Sequence, residues 1–117
     1  MNLFQLQNTA AYQITVPITT ASNLLSLIDA ASGIANNVPG GLDALDISVE
    51  GPAIRMIGDG VNKPTQTQGL LLPAGKTHRI RGIALKNIWL VSSTGATSAC
   101  SISVGSSVQG DQNSNVG

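Results

Sequence analysis

The chain has 117 residues and a mass of 11.9 kDa, which is the size of a single domain. Six Lys and Arg residues balance six Asp and Glu residues, and charged residues make up only 10% of the chain, against about 25% in an average soluble domain. This neutrality argues against nucleic-acid binding, which needs a basic face, and against a polybasic protein of the membrane surface. With 42% hydrophobic residues, the chain is also too apolar to be wholly disordered.

The sequence offers no feature that directs it to a membrane or to secretion. It has no apolar run of the roughly 18 residues that a membrane span needs. Its first residues, from Met1 to Gln7, lack the basic and apolar regions of a secretory signal. The single cysteine, Cys100, has no disulfide partner within the chain. We therefore expect synthesis in a reducing cytoplasm and no membrane partner.

The N-terminal part of the domain predicts a strand followed by a helix. Apolar residues alternate with other residues from Tyr12 to Ile18, which is the period of a half-buried strand. Leucines and an isoleucine then recur at helical spacing over about residues 21–32. Thr20 or Ser22 can cap the start of this helix, and Gly33 can end it.

The middle of the chain predicts further strands and one long loop. Alternation predicts strands at Leu45–Val49 and Ala53–Ile57, and Gly51-Pro52 between them indicates a hairpin. Residues 58–69 are polar and form a long loop. The apolar run Leu70–Leu72 follows and ends at a turn.

The C-terminal part completes a mainly-β pattern. Thr77–Ile83 alternates, and strands are predicted at Asn87–Ser92 and Ala99–Val104, joined as a hairpin across small residues at 93–95. Short strands at regular spacing with one helix predict a mainly-β fold, a single-domain β-sandwich or jelly roll with one short α-helix.

The domain organisation follows from the composition at the two ends. Residues 1–10 are polar with scattered apolar groups and are interpreted as an N-terminal arm. Residues 11–104 form the β-sandwich domain. Residues 105–117 are rich in Gly, Ser, Gln and Asn, and we expect a flexible C-terminal tail. Within the domain, residues 36–41 are a loop by composition.

No segment of the sequence carries a complete phosphate-binding or catalytic motif. Gly75-Lys76-Thr77 ends like a phosphate-binding loop, but the first glycine of such a loop is replaced by Leu70. The only histidine, His78, has no nucleophile or carboxylate placed beside it by the sequence, so we interpret it as an ordinary strand residue. Cys100 has no neighbouring cation and is interpreted as a buried, inert thiol. The sequence predicts no catalytic, cofactor-binding or metal site, and hence a protein that is not an enzyme.

Two apolar runs suggest contacts beyond a single copy. Ile88–Val91 is apolar on both faces of its strand, so it must be covered on both faces, either by the lone helix or by another subunit. Leu70–Leu72 is a second apolar run that needs a cover, and one short helix is too small to cover both runs. Coverage within the chain itself is the competing interpretation. If the cover is another subunit, the residues we predict at the interface are Leu71, Trp89 and Val91.

These features together resemble a known family. The strand Tyr12–Ile18 leads into the Leu-rich helix, Gly69–Gly75 forms a turn, and Asn87–Ser92 is followed by a small-residue hairpin. In this the chain resembles the small virion structural proteins of tailed bacteriophages, in particular the jelly-roll-like capsid decoration (cement) proteins. The resemblance covers residues 10–105 as a pattern of strands and turns, without a diagnostic motif.

The resemblance implies a location and a mechanical role. Homodimers or homotrimers would sit on the exterior of the capsid and bridge neighbouring major capsid proteins, stabilising the head without a cofactor. The N-terminal arm carries no recognisable anchoring motif, which leaves the capsid contact unassigned. The alternative function is a tail, fibre or neck component acting as a receptor- or carbohydrate-binding module or as an adaptor. An exposed groove containing Trp89 would favour that alternative.

Overall fold

The computed structural model describes residues 10–33 and 42–105. The strands of this part are β1 (Ala10–Val16), β2 (Ser22–Asn23), β3 (Ala44–Val49), β4 (Ile54–Ile57), β5 (Leu70–Leu72), β6 (Thr77–Arg81), β7 (Trp89–Ser92) and β8 (Ser98–Gly105). Its helices are α1 (Leu24–Ser32) and a short 3-10 helix (Leu85–Asn87).

The eight strands form two antiparallel sheets of four strands each. Sheet I has the order β1-β8-β3-β6, and sheet II has the order β2-β7-β4-β5. The pairs β1·β8 and β3·β6 lie in sheet I, whereas β2·β7 and β4·β5 lie in sheet II. The first four strands thus pair in reverse order with the last four, as in one long hairpin wrapped around a core. This is a jelly roll, and the predicted mainly-β sandwich with one short helix is confirmed.

The core lies between the inner faces of the two sheets, where alternate residues of each strand point inward. Its largest fully buried side chains are Ile14, Val16, Leu24, Ile28, Leu45, Ile47, Val49, Ile54, Leu85, Ile88 and Leu90. The helix α1 closes one side of the sandwich, because it packs against β1 and the 3-10 helix. The hydrogen bond from Leu24 N to Ile88 O, 2.8 Å long, joins the start of α1 to the residue before β7.

The helix begins later than the sequence predicted. Asn23, rather than Thr20 or Ser22, caps it, and the Asn23 side chain accepts a hydrogen bond from Leu25 N at 3.0 Å. Ser22 and Asn23 first pair with β7, so the chain is extended up to the cap. The predicted end is confirmed, since Gly33 adopts φ 76° and its N–H donates to the Asp29 carbonyl oxygen.

The two predicted hairpins are wrong. β3 and β4 lie in different sheets, and so do β7 and β8. At Gly51 the chain crosses from sheet I to sheet II, and a Cβ on this glycine would lie 2.9 Å from Ala99 N. The Ser98 hydroxyl also donates a short hydrogen bond to the Pro52 carbonyl oxygen. Gly51-Pro52 and residues 93–95 do turn the chain, but each turn leads from one sheet to the other.

Most of the predicted arms and one predicted loop lie outside the described residues. The exceptions are Ala10, which starts β1, and Gly105, which ends β8. β1 therefore begins at the last residue of the predicted N-terminal arm, and β8 ends on the first residue of the predicted C-terminal tail. The predicted loop at 36–41 lies outside the described residues altogether.

Candidate functional site

Four strands lie at the edges of the two sheets, and three of these edges are protected. β1 is flanked by α1, which packs against it. β2 consists only of Ser22 and Asn23 and leads directly into the helix. β6 carries Arg79 and Arg81, which bind Asp46 at 3.3 and 3.0 Å. A covering element, short length and charge are the usual means by which an edge strand avoids pairing with another chain.

β5 is also short, with three residues, but within residues 10–33 and 42–105 it is the edge strand that combines two exposed leucines with no charged residue. Its three residues pair with β4 on one side. Leu72 is buried in the core, whereas Leu70 is 60% exposed and Leu71 is 42% exposed. Leu70 and Leu71 are consecutive and point to opposite sides of the strand, so apolar surface is exposed on both sides. An exposed apolar edge strand is a template for pairing with another chain.

The outer face of sheet II carries apolar residues that the sheets themselves leave uncovered. On β7, Leu90 points into the core, so Trp89 and Val91 point to the outer face. Arg55 of β4 lies directly opposite Val91 on the same face. Val91 is nevertheless fully buried, and Trp89 is half-buried. A further part of the chain therefore covers this face.

The cover is the segment 58–69, which we call the outer loop. Arg55 holds its C-terminal part: Nη1 donates to the Gly69 carbonyl oxygen at 3.0 Å and Nε to the Gln66 carbonyl oxygen at 3.4 Å. Pro64 is buried, and a Cβ on Gly69 would lie 3.0 Å from Pro64 Cβ and 3.4 Å from Ile57 Cγ1. The outer loop is therefore packed onto the strand face and does not extend freely into solvent.

Two side chains of the outer loop contact β7 and the segments next to sheet II. Gln66 Nε2 donates to the carbonyl oxygens of Thr94 at 2.7 Å and Ile18 at 3.3 Å. Lys63 Nζ lies 4.4 Å from the centroid of the Trp89 ring, a cation–π contact. Together these contacts attach the outer loop near both ends of β7.

The tip of the outer loop is organised by Asp59. Its Oδ1 accepts hydrogen bonds from Val61 N and Asn62 N, both 2.8 Å long, and Oδ2 accepts from Asn62 Nδ2 at 2.7 Å. The two backbone hydrogen bonds lower the pKa of Asp59, and the Asn62 side chain lowers it further. Val61 projects from this tip and is 80% exposed.

The three residues predicted at a subunit interface lie in three different environments. Leu71 is exposed on the edge strand, Trp89 is half-buried beneath Lys63, and Val91 has no exposed surface within the chain itself. The strand β7 is covered on both faces, as its sequence required. For Val91 the structure favours the competing interpretation, cover within the chain itself, because the residue is buried without a second copy and the outer loop is held against this face.

The outer face of sheet I is polar. Gln13, Ser101, Ser48 and Thr77 form a row across its four strands, beneath a shallow depression of about 410 Å³. Gln13 Nε2 donates to Glu50 Oε1 at 3.0 Å, and the Ser101 hydroxyl lies 2.8 Å from Glu50 Oε2. These hydrogen bonds, that from Gln13 first, lower the pKa of Glu50. The polar side chains of Gln13 and Ser101 thus bind Glu50, and the carboxylate of Asp46 also lines the depression.

The residues considered for chemistry have structural contacts. His78 Nε2 lies 3.2 Å from the Pro73 carbonyl oxygen, so the ring supports the turn after β5. Cys100 is buried, and burial raises the pKa of its thiol to about 11. Within the described ranges no group of three or more His, Cys, Asp or Glu is arranged to hold a metal ion. The helices of the same residues include none that is long and apolar enough to cross a membrane.

The sequence analysis predicted a loop at residues 58–69 but missed that Arg55 holds this loop against sheet II. The available signal was a charged residue between Ile54 and Met56 in an otherwise apolar strand, followed by a long polar segment. A charge there needs partners, and backbone carbonyl groups of a nearby loop supply them. Which loop supplies them depends on the sheet pairing, which the sequence pattern did not reveal.

The sequence matches no protein-family model, and no curated protein or solved structure shows a significant match to it. The resemblance to capsid decoration proteins therefore remains a hypothesis.

Proposed function

We propose that the chain is a structural subunit of a virion, specifically a decoration protein on the exterior of a phage head. The observation that carries the proposal is the apolar edge of β5, where Leu70 is 60% and Leu71 is 42% exposed. Pairing at this edge would satisfy outward-facing backbone groups and remove leucine side chains from water, at about 25 cal/mol per Å² of apolar surface. The exposed edge therefore supports a structural role, in which the chain functions by binding other subunits.

The fold supports the proposal by analogy. Jelly rolls form viral capsid domains, but they also form lectin domains and cupins. The fold alone therefore does not select a function, and the choice depends on the surfaces. The β5 edge favours an assembly contact.

The charge pattern favours dense packing of copies. The net charge is zero, and the centre of the outer face of sheet I is built from small polar side chains. Neutral copies crowd onto a shell without long-range repulsion. The proposed partners are the major capsid protein and further copies of the chain, and the mechanism is mechanical, because many modest interfaces sum to a stiff shell.

The alternative, a carbohydrate- or receptor-binding module of a tail or fibre, requires an accessible aromatic face. Trp89 is half-buried, and Lys63 Nζ lies over its ring. A sugar stacking on this face of the ring would have to displace Lys63 and part of the outer loop. The observations therefore favour the decoration protein over a binding module centred on Trp89.

The test is co-sedimentation of the purified chain with intact particles from the source of the sequence and with their empty, tailless shells. We expect the wild-type chain to pellet with both. Leu71→Lys should reduce pelleting, whereas Val61→Lys, the same change at an exposed residue of the outer loop, should not. A chain that stays in the supernatant with both preparations contradicts the proposal. Pelleting with intact particles only would indicate the tail or neck instead.

A further inference from the structure

We infer that the occupant of the β5 edge is β5 of a second copy, paired antiparallel about a two-fold axis at Leu71. Sheet II would then run continuously through both copies as one eight-stranded sheet. The inference rests on the proposal that the chain is an assembly subunit, and it assigns one contact of that assembly.

The absence of charge on β5 and the turn after it favours a second copy of β5 as the occupant. A strand that pairs with its own copy places its side chains opposite symmetry-related ones, so any charge on it lies close to a like charge. The segment Gly69–Gly75 contains no charged residue. By contrast, self-pairing of the β6 edge would bring Arg79 and Arg81 close to their own copies. Of these two edges, β5 is therefore the one compatible with self-pairing.

The antiparallel register of two β5 strands also favours a second copy as the occupant. Leu71 is the middle residue of a three-residue strand, so a two-fold axis there gives complete overlap of both strands. Leu71 would lie opposite Leu71 of the partner subunit, and Leu70 opposite Leu72 of the partner subunit. One symmetry operation thus covers both exposed leucines, on opposite sides of the sheet. Interfaces of this self-complementary kind are the commonest in homo-oligomers.

The small size of the β5 edge limits the affinity of the self-paired dimer. Two three-residue edges bury less than the roughly 1,200 Å² of a standard stable interface. We therefore expect a weak dimer whose population rises with concentration, and tight association only where copies are held side by side on a shell. The competing occupant is the uncharged segment 1–9 of another copy, which precedes β1 and contains Phe4.

The first test is disulfide trapping with the full chain. In a two-fold pair the Cβ atoms of residue 71 lie about 4.5–5.5 Å apart, close enough for a disulfide after small adjustment. The native Cys100 is buried and does not compete. We expect Leu71→Cys to form covalent dimers under mild oxidation and Val61→Cys, at a more exposed site, to form several-fold fewer. Equal yields from both variants would overturn the inference.

The second test separates the two occupants by sedimentation equilibrium of the purified chain without particles. Leu71→Lys should raise the dimer dissociation constant by about tenfold or more, because the two-fold axis brings the lysines together. Phe4→Lys should leave it unchanged, and a loss of dimer in this variant would identify residues 1–9 as the occupant. Trp89 fluorescence checks that each variant is folded.

The wild-type chain distinguishes failure of this inference from failure of the proposed function. A wild-type chain that is monomeric at every concentration but pellets with shells overturns self-pairing and leaves the proposed function standing. A chain that dimerises through Leu71 but pellets with no particle overturns the proposed function and leaves the self-paired edge standing.

Discussion

Arg55 lies directly opposite Val91 on the outer face of sheet II, and its guanidinium group holds the loop that buries Val91. A charged side chain thus fixes a polar segment over an apolar strand. The outer face of β7 is covered in this way, whereas the edge of β5 is not, and its Leu70 and Leu71 stay exposed.

Replacing Arg55 should loosen the outer loop. Arg55→Met removes two hydrogen bonds from a charged group to loop carbonyl oxygens, and we expect a loss of about 2–3 kcal/mol in the free energy of unfolding. Urea unfolding measures the loss, and hydrogen exchange should increase at the amides of residues 58–69. The control is Arg79→Met, whose side chain is 70% exposed and whose ion pair with Asp46 contributes at most about 1 kcal/mol. Equal losses in both variants would contradict the role assigned to Arg55.

Gly51 should tolerate no side chain. A Cβ there would lie 2.9 Å from Ala99 N and 3.0 Å from Ser98 Oγ, so Gly51→Ala forces apart the crossing between the sheets. We expect a loss of about 1–3 kcal/mol in the free energy of unfolding. Gly95→Ala is the matched control, since a Cβ at Gly95 meets nothing within 4 Å and should change stability by less than about 1 kcal/mol.

The N-cap of α1 should be worth a measurable part of the stability. The Asn23 side chain accepts from Leu25 N, and its Nδ2 donates to the Lys86 carbonyl oxygen at 2.7 Å. Asn23→Ala removes both hydrogen bonds, and we expect a loss of about 1–2 kcal/mol. Asn23→Ser keeps a capping oxygen but not the donor to the Lys86 carbonyl oxygen, so its loss should be the smaller of the two in thermal unfolding. A greater loss for Asn23→Ser would contradict the capping role.

Cys100 should make stability fall at high pH. Burial raises the pKa of its thiol from 9.0 to about 11 in the folded chain. Between these values the unfolded chain loses the thiol proton while the folded chain keeps it, so the stability that is fully present below pH 9 declines as pH rises towards 11. The decline attributable to this group is on the order of 2 kcal/mol. It appears as the difference between wild type and Cys100→Ala in urea unfolding across this range, and parallel curves would contradict it.

The sequence predicted individual elements better than their pairing. Alternating apolar residues from Leu45 to Val49 predict a strand because side chains of a half-buried strand alternate between core and solvent. Gly33 marks the end of α1 because glycine adopts positive φ at low cost. The pairing depends on contacts far apart in sequence. Gly51 packs against Ala99 and Ser98, and no local pattern at a Gly-Pro turn distinguishes a hairpin from a change of sheet.

The candidate site was predictable only in part. The sequence shows apolar runs at both β5 and β7, and both required a cover. Which run is covered depends on where the outer loop lies, and this is decided by Arg55 and Gln66 reaching carbonyl groups across the sheet. Leu71 is therefore exposed and Val91 buried, although their sequence environments are equally apolar.

The most direct measurement of the central claim is the mass of the wild-type chain by sedimentation equilibrium over a wide concentration range. We predict a mass that rises from the monomer value of 11.9 kDa towards twice that value, together with a Leu71→Lys variant that stays monomeric and folded. A wild-type mass that remains at the monomer value up to millimolar concentration would contradict the claim that the uncovered β5 edge pairs with its own copy.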